Sequence, residues 1–125
     1  MRVNVLELLH YSRIDSHIIL LMSDDLIQLQ KQYLSLINHK LPERAKQGDL
    51  PVRLNHCFGR IVLDNLFGGC WYQFLSRKQP AYKQLNPSQL TAAIVLAQTM
   101  VDNPEKAQIF NQNSLRWRGK QRKDS

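Results

Sequence analysis

The chain has 125 residues and a formal net charge of +7, the size of a single domain that buries roughly two-thirds of its unfolded surface without help from disulfides or metal. Its two cysteines, Cys57 and Cys70, exclude a disulfide framework and fit a reduced, cytoplasmic setting. Its longest apolar runs, Ile18 to Met22 and Ala92 to Ala97, fall far short of the about 20 residues a membrane span needs.

Residues 1 to 22 show no cap and only a broken apolar pattern, open to a short strand or a weak helix. Glu7, His10, Arg13 and Asp15 interrupt any signal-peptide core. Ser23, followed by Asp24 and Asp25, reads as an N-cap with acidic residues at the positive end of a helix. Residues 1–22 are therefore expected to be an arm or, if Met22 is the natural start, a misassigned extension, and 23–118 a single helical domain. From Asp24 to about Asn38, Leu26, Leu29, Tyr33, Leu36 and Ile37 recur at spacings of three and four, an amphipathic helix with Gln28, Gln30, Lys31 and Gln32 on its outer face. Pro42, Gly48 and Pro51 predict a loop over Leu41 to Leu50.

The stretch PVRLNHCFGRIVLDNLFGGCWY is the densest apolar run, and it predicts a central buried helix from about Pro51 to Phe67. At about 100° per residue, Cys57, Phe58, Ile61, Val62, Leu63, Leu66 and Phe67 cover most of its circumference. One polar stripe remains, His56, Arg60 and Asp64, spaced by four and so stacked above one another. It reads either as an ordinary Arg60 to Asp64 ion pair with His56 bonded nearby, or as a group that holds an anion or moves protons. Gly59, inside the helix at a cost of roughly 1 kcal/mol relative to Ala, suggests the close approach of a backbone or ligand. Gly68 and Gly69 supply the left-handed residue that ends a helix.

Cys70 to Leu75 is expected to be a short helix; its rings Trp71, Tyr72 and Phe74 are too many for one buried face, so at least one belongs at a groove or interface. Cys70 is either a small buried hydrophobe or a thiol activated at a helix start. Arg77, Lys78 and Lys83 interleave with this aromatic group, as in nucleic-acid-binding surfaces. Asn86, Pro87 and Gln89 spell an N-cap, a first-turn proline and a capping-box partner for a helix that buries Leu90, Ala93, Ile94, Ala97, Met100 and Val101. Asn103 and Pro104 repeat the signal for a helix burying Ala107 and Phe110, and Ser114 reads as the start of a further turn holding Leu115 and Trp117. Arg116, Arg118, Lys120, Arg122 and Lys123 against Asp124 put +4 into the last ten residues, and 119–125 read as a disordered basic tail, either an electrostatic handle for phosphates or a solubility feature. The sum is an all-α, compact bundle of about five helices around the central one, with a basic C-terminal tail.

No C-x-x-C or H-E-x-x-H spacing joins His10, His17, His39 and His56, so no metal is expected. The adjacent His56 and Cys57 diverge on a helix and cannot form an activated pair. The segments RLNHCFGRIVLDN, GGCWYQFL, AYKQLNPSQL and NSLRWRGK together resemble a group of small, largely uncharacterised bacterial proteins, some of them labelled GNAT-type N-acetyltransferases. That resemblance spans roughly Pro51 to Lys120 and implies acetyl-CoA, a mixed sheet with helices, and a pyrophosphate loop of the form Gln or Arg, two residues, Gly, one residue, Gly or Ala. The chain has no such loop. The leading expectation is a helical binding protein that contacts nucleic acid or another protein through Trp71, Tyr72, Arg77, Lys78, Lys83, Arg116, Arg118, Lys120, Arg122 and Lys123, with no cofactor. The alternatives are an acetyl-CoA-dependent or other small-ligand enzyme at His56, Arg60 and Asp64, and a homodimer joined through Trp71 and Tyr72.

Overall fold

The computed structural model describes residues 16–120, with side chains from residue 24 onward. The first fifteen residues and the last five, Arg122 and Lys123 among them, lie outside the described residues. Four helices form the fold, with no strand among the described residues. Helix α1 begins as Ser16–Ser35, widens into a π-helical turn over Leu36–Lys40, and continues as Leu41–Ala45. Helices α2 (Asn55–Phe67), α3 (Pro87–Asp102) and α4 (Pro104–Trp117) follow, and two 3₁₀ turns, Trp71–Gln73 and Ala81–Gln84, lie between α2 and α3.

The apolar periodicities converge on one core. Helix α1 contributes Tyr33, Leu36, Ile37 and Leu41, α2 contributes Phe58, Ile61, Val62 and Leu63, α3 contributes Leu90, Ala93, Ala97 and Met100, and α4 adds Ala107. Helices α2 and α3 each touch all three others, so the bundle is organised around a central pair. Ala93, Ala97 and Ala107 are completely buried, and their small side chains let the backbones approach closely. Full burial of Phe58, Ile61 and Val62 stabilises the fold by roughly 1.5–3 kcal/mol for each side chain.

Among the described residues the helix count is four and not five, because Cys70 to Leu75 forms only the three-residue 3₁₀ turn at Trp71–Gln73. Helix α2 starts at Asn55 and not at Pro51, since Leu54 is extended at φ −100° and ψ 149°. Ser23 is no N-cap: α1 runs straight across it from Ser16. Nor does α1 stop near Asn38. The Leu41 N–H reaches back five residues to the Leu36 carbonyl, and this wider turn re-phases the helix so that Pro42 stands in a first-turn position, where a missing N–H costs little. Gly59 is not sterically required either, because a Cβ there would meet the Ile37 side chain at an ordinary 3.8 Å. Ser114 lies inside α4 and starts no separate turn.

The expected caps are present. The Asn86 side chain accepts from the Gln89 N–H at 2.8 Å while the Gln89 side chain accepts from the Asn86 N–H at 2.9 Å, and the Asn103 side chain accepts from the Lys106 N–H at 3.2 Å. Gly68, at φ +70°, closes α2: its N–H and that of Gly69 donate to the Asp64 carbonyl at 2.8 and 3.1 Å. Helix α4 ends in a Schellman motif, in which Gly119, at φ +68°, donates to Arg116 at 3.0 Å and Lys120 to Leu115 at 2.8 Å. That closure turns the chain inward at Arg118.

Candidate functional site

Asp64 and Ser114 are the only fully buried polar side chains among the described residues. They meet where α2 crosses α4. The Ser114 hydroxyl donates to Asp64 Oδ2 at 2.6 Å. Arg118 forks onto the same carboxylate, Nε to Oδ2 at 2.7 Å and Nη2 to Oδ1 at 3.1 Å. The fourth bond comes from the Trp71 N–H to Oδ1 at 2.9 Å. A carboxylate accepting four hydrogen bonds has its lone pairs occupied within the chain, and the buried Ser114 is no exposed nucleophile. What this arrangement does is fix the aromatic turn and the carboxyl end of α4 onto α2.

The polar seam extends beyond Asp64. Arg60 donates to Ser114 Oγ at 2.7 Å and to Asn111 Oδ1 at 2.9 Å. Asn65 donates to the Phe110 carbonyl at 2.9 Å and accepts from Asn113 at 3.2 Å. The expected Arg60 to Asp64 ion pair is not formed: Asp64 pairs with Arg118, and Arg60 reaches it only through Ser114. Arg60 therefore has neutral partners, and its pKa is pushed down, first by burial and then by the nearby charge of Arg118. The Arg118 pKa moves the other way, chiefly because its guanidinium hydrogen-bonds Asp64. Two guanidiniums thus share one carboxylate. His56, the third member of the stripe, is exposed and takes no part.

Above this seam the aromatic turn faces outward. Trp71 and Tyr72 pack edge to face with ring centres 4.7 Å apart, and Phe74 stacks on Phe67 at 5.0 Å. Tyr72 is 41 % exposed, and two guanidinium carbons approach its ring centre, Arg77 at 4.0 Å and Arg118 at 4.7 Å. Gln84 clamps the following loop, its Nε2 donating to the Ser76 carbonyl at 2.8 Å and its Oε1 accepting from the Ser76 N–H at 2.9 Å. Beside the turn lies a recess of about 330 Å³ whose walls include Cys57, Arg60, Leu63, Trp71 and Tyr72.

Of the residues expected to contact a partner, Tyr72, Arg77 and Arg118 are in mutual contact, and Trp71 adjoins them. Lys78, Lys83, Arg116 and Lys120 are exposed; Arg116 lies over the Trp117 ring at 5.9 Å. Arg118, expected as a contact for a partner at the end of the helical domain, is 12 % exposed and committed to Asp64. Cys57 and Cys70 are unbonded thiols, and Cys70 precedes a turn of three residues in place of the helix start expected for it. Sequence reasoning missed Asn111 and read Ser114 only as the start of a turn. Their signal was the spacing Ala107, Asn111, Ser114, Arg118, four, three and four residues, which places all of them on the inner face of α4. Among the described residues no cluster of three metal-ligating side chains occurs, and no helix is long and apolar enough to cross a membrane. Comparison of the chain with protein-family models, with curated proteins and with solved structures found no match in any of the three.

Proposed function

We propose that the protein binds polyanions, nucleic acid first among them, at the end of the bundle where the Trp71–Gln73 turn meets the carboxyl end of α4. The observation that carries this reading is the half-exposed Tyr72 ring flanked by Arg77 and Arg118. When the exposed Arg77 swings out to a phosphate, the ring offers a face for a base to stack on while neighbouring cations meet phosphates. The roles divide by burial. Arg118, offset by Asp64, holds the ring in place; exposed Arg77, Lys78 and Lys120 are free to take phosphates, with Lys83 and Arg116 as further cations. Arg122 and Lys123 follow Lys120 in the chain and extend the basic segment.

The test is fluorescence anisotropy of labelled single-stranded and duplex oligonucleotides with the full chain at low salt. Binding is expected, with Tyr72→Ala weakening the single-strand complex on the order of tenfold, the size of one base–aromatic stacking interaction. Absence of binding by either oligonucleotide removes the proposal. Coenzyme A, the ligand class implied by the acetyltransferase resemblance, belongs in the same titration; the described residues hold no strand to supply that class's mixed sheet. The homodimer reading is tested by sedimentation, where a monomer is expected at working concentrations and a dimer that Tyr72→Ala dissociates would replace the nucleic-acid reading.

A further inference from the structure

We propose that the recess beside α2 is a binding site for a small organic anion, a carboxylate carrying a compact apolar body, received by Arg60. The charge argument comes first. Arg60 is partly buried, yet its hydrogen-bond partners among the described residues, Ser114 and Asn111, are neutral. Asp64, the nearest carboxylate, is saturated by Arg118, Ser114 and the Trp71 N–H. The seam therefore carries one more positive charge than negative. Two of the five guanidinium N–H groups of Arg60 are used, which fixes its plane, and three remain for a ligand. A guanidinium held this way and partly stripped of water is suited to a carboxylate, because the two planar forks match.

The walls decide the rest of the ligand. Apart from His56 at its edge, Leu63, Cys57 and the Trp71 and Tyr72 rings give the recess a mostly apolar lining, which a bare inorganic anion leaves unsatisfied. Its volume of about 330 Å³ sits at the small end of ligand pockets, which favours a compact aromatic or branched acid over a nucleotide. The recess shares Trp71 and Tyr72 with the proposed nucleic-acid surface, but the group that receives the carboxylate, Arg60, is not among the residues assigned to phosphates.

Titration of the full chain with benzoate, followed in amide and indole NMR spectra, tests the proposal. Saturable shifts are expected at the Trp71 indole and the Cys57 amide. Benzamide, of the same shape without the charge, is expected to bind at least about tenfold more weakly, the loss attached to a charge-assisted hydrogen bond. Arg60→Gln is expected to abolish the benzoate shifts. Because that change also breaks the bonds to Ser114 and Asn111, Cys57→Phe serves as the second variant: it fills the recess and removes no hydrogen bond of the seam, and it too is expected to abolish binding while the urea midpoint holds. The proposal is overturned if benzoate produces no saturable shift, if benzamide or inorganic phosphate binds as well as benzoate, or if the shifts survive Cys57→Phe in a folded chain.

Discussion

At Asp64 a single carboxylate joins three parts of the chain, accepting from Arg118 and Ser114 of the α4 end and from the Trp71 N–H of the aromatic turn. Removing it leaves the largely buried Arg118 without its counter-ion. Asp64→Ala is therefore expected to lower unfolding free energy by about 3–5 kcal/mol, measured by urea denaturation, and to shift the Trp71 environment in near-ultraviolet circular dichroism. A loss below about 1 kcal/mol would show that water compensates Arg118 and that the junction is dispensable. The four-residue spacing of His56, Arg60 and Asp64 was legible in the sequence; their partners were not. Helical spacing fixes which side chains are neighbours on one helix, but the nearer, better-oriented acceptors for Arg60 come from α4, and His56 is left exposed. Tyr33 is a second buried ionisable group, and burial raises its pKa well above the ordinary value. The folded chain keeps a proton that the unfolded chain releases above about pH 10, so this contribution is complete below that pH and is lost as pH rises beyond it. Tyr33→Phe is expected to flatten the fall of the urea midpoint between about pH 9 and 11; an unchanged slope contradicts it.

Elements were readable where their signals are local. Asn86 with Gln89 and Asn103 with Pro104 start α3 and α4 as spelled, because a cap needs only side chains within one turn. Asn86→Ala is expected to cost about 1 kcal/mol in thermal or urea unfolding, and an effect near zero would mean that packing alone sets the start of α3. Gly68→Ala forces a Cβ into the left-handed region at φ +70° and is expected to cost about 1 kcal/mol. The π-helical turn was not readable, although Pro42 signals a break in hydrogen bonding. In an unbroken α-helix, Leu36 and Leu41 lie about 140° apart. The wider turn at Leu36–Lys40 brings both into the core, a preference that exists only once α2 and α3 are present to pack against. Likewise the ring-rich segment after Gly69 reads as a helix in sequence, whereas the bond from the Trp71 N–H to Asp64 pins its start and only one 3₁₀ turn forms.

At the scale of the molecule, the bundle brings together two basic segments about forty residues apart in sequence. The all-α class was legible from periodicity and from the lack of alternating strands. The convergence of Arg77 with Arg118 on Tyr72 was not, because it follows from the packing of α4 against α2, which no local pattern encodes. Both halves of the basic surface can be located in the sequence, but Arg118 reads there as a cation for a partner, and its bonds to Asp64 make it the joint between them. The measurement that tests the proposed interface most directly is the salt dependence of single-strand binding, compared between the full chain and the triple variant Arg77→Gln, Lys78→Gln, Lys120→Gln. These three side chains are exposed and make no buried bond, so the variant is expected to unfold at the same urea concentration. If the basic-aromatic end binds phosphates, the slope of log affinity against log salt should shrink by about 0.7 for each phosphate no longer neutralised. Equal affinity and equal slope for the two proteins would contradict the assignment and move the binding surface elsewhere on the bundle.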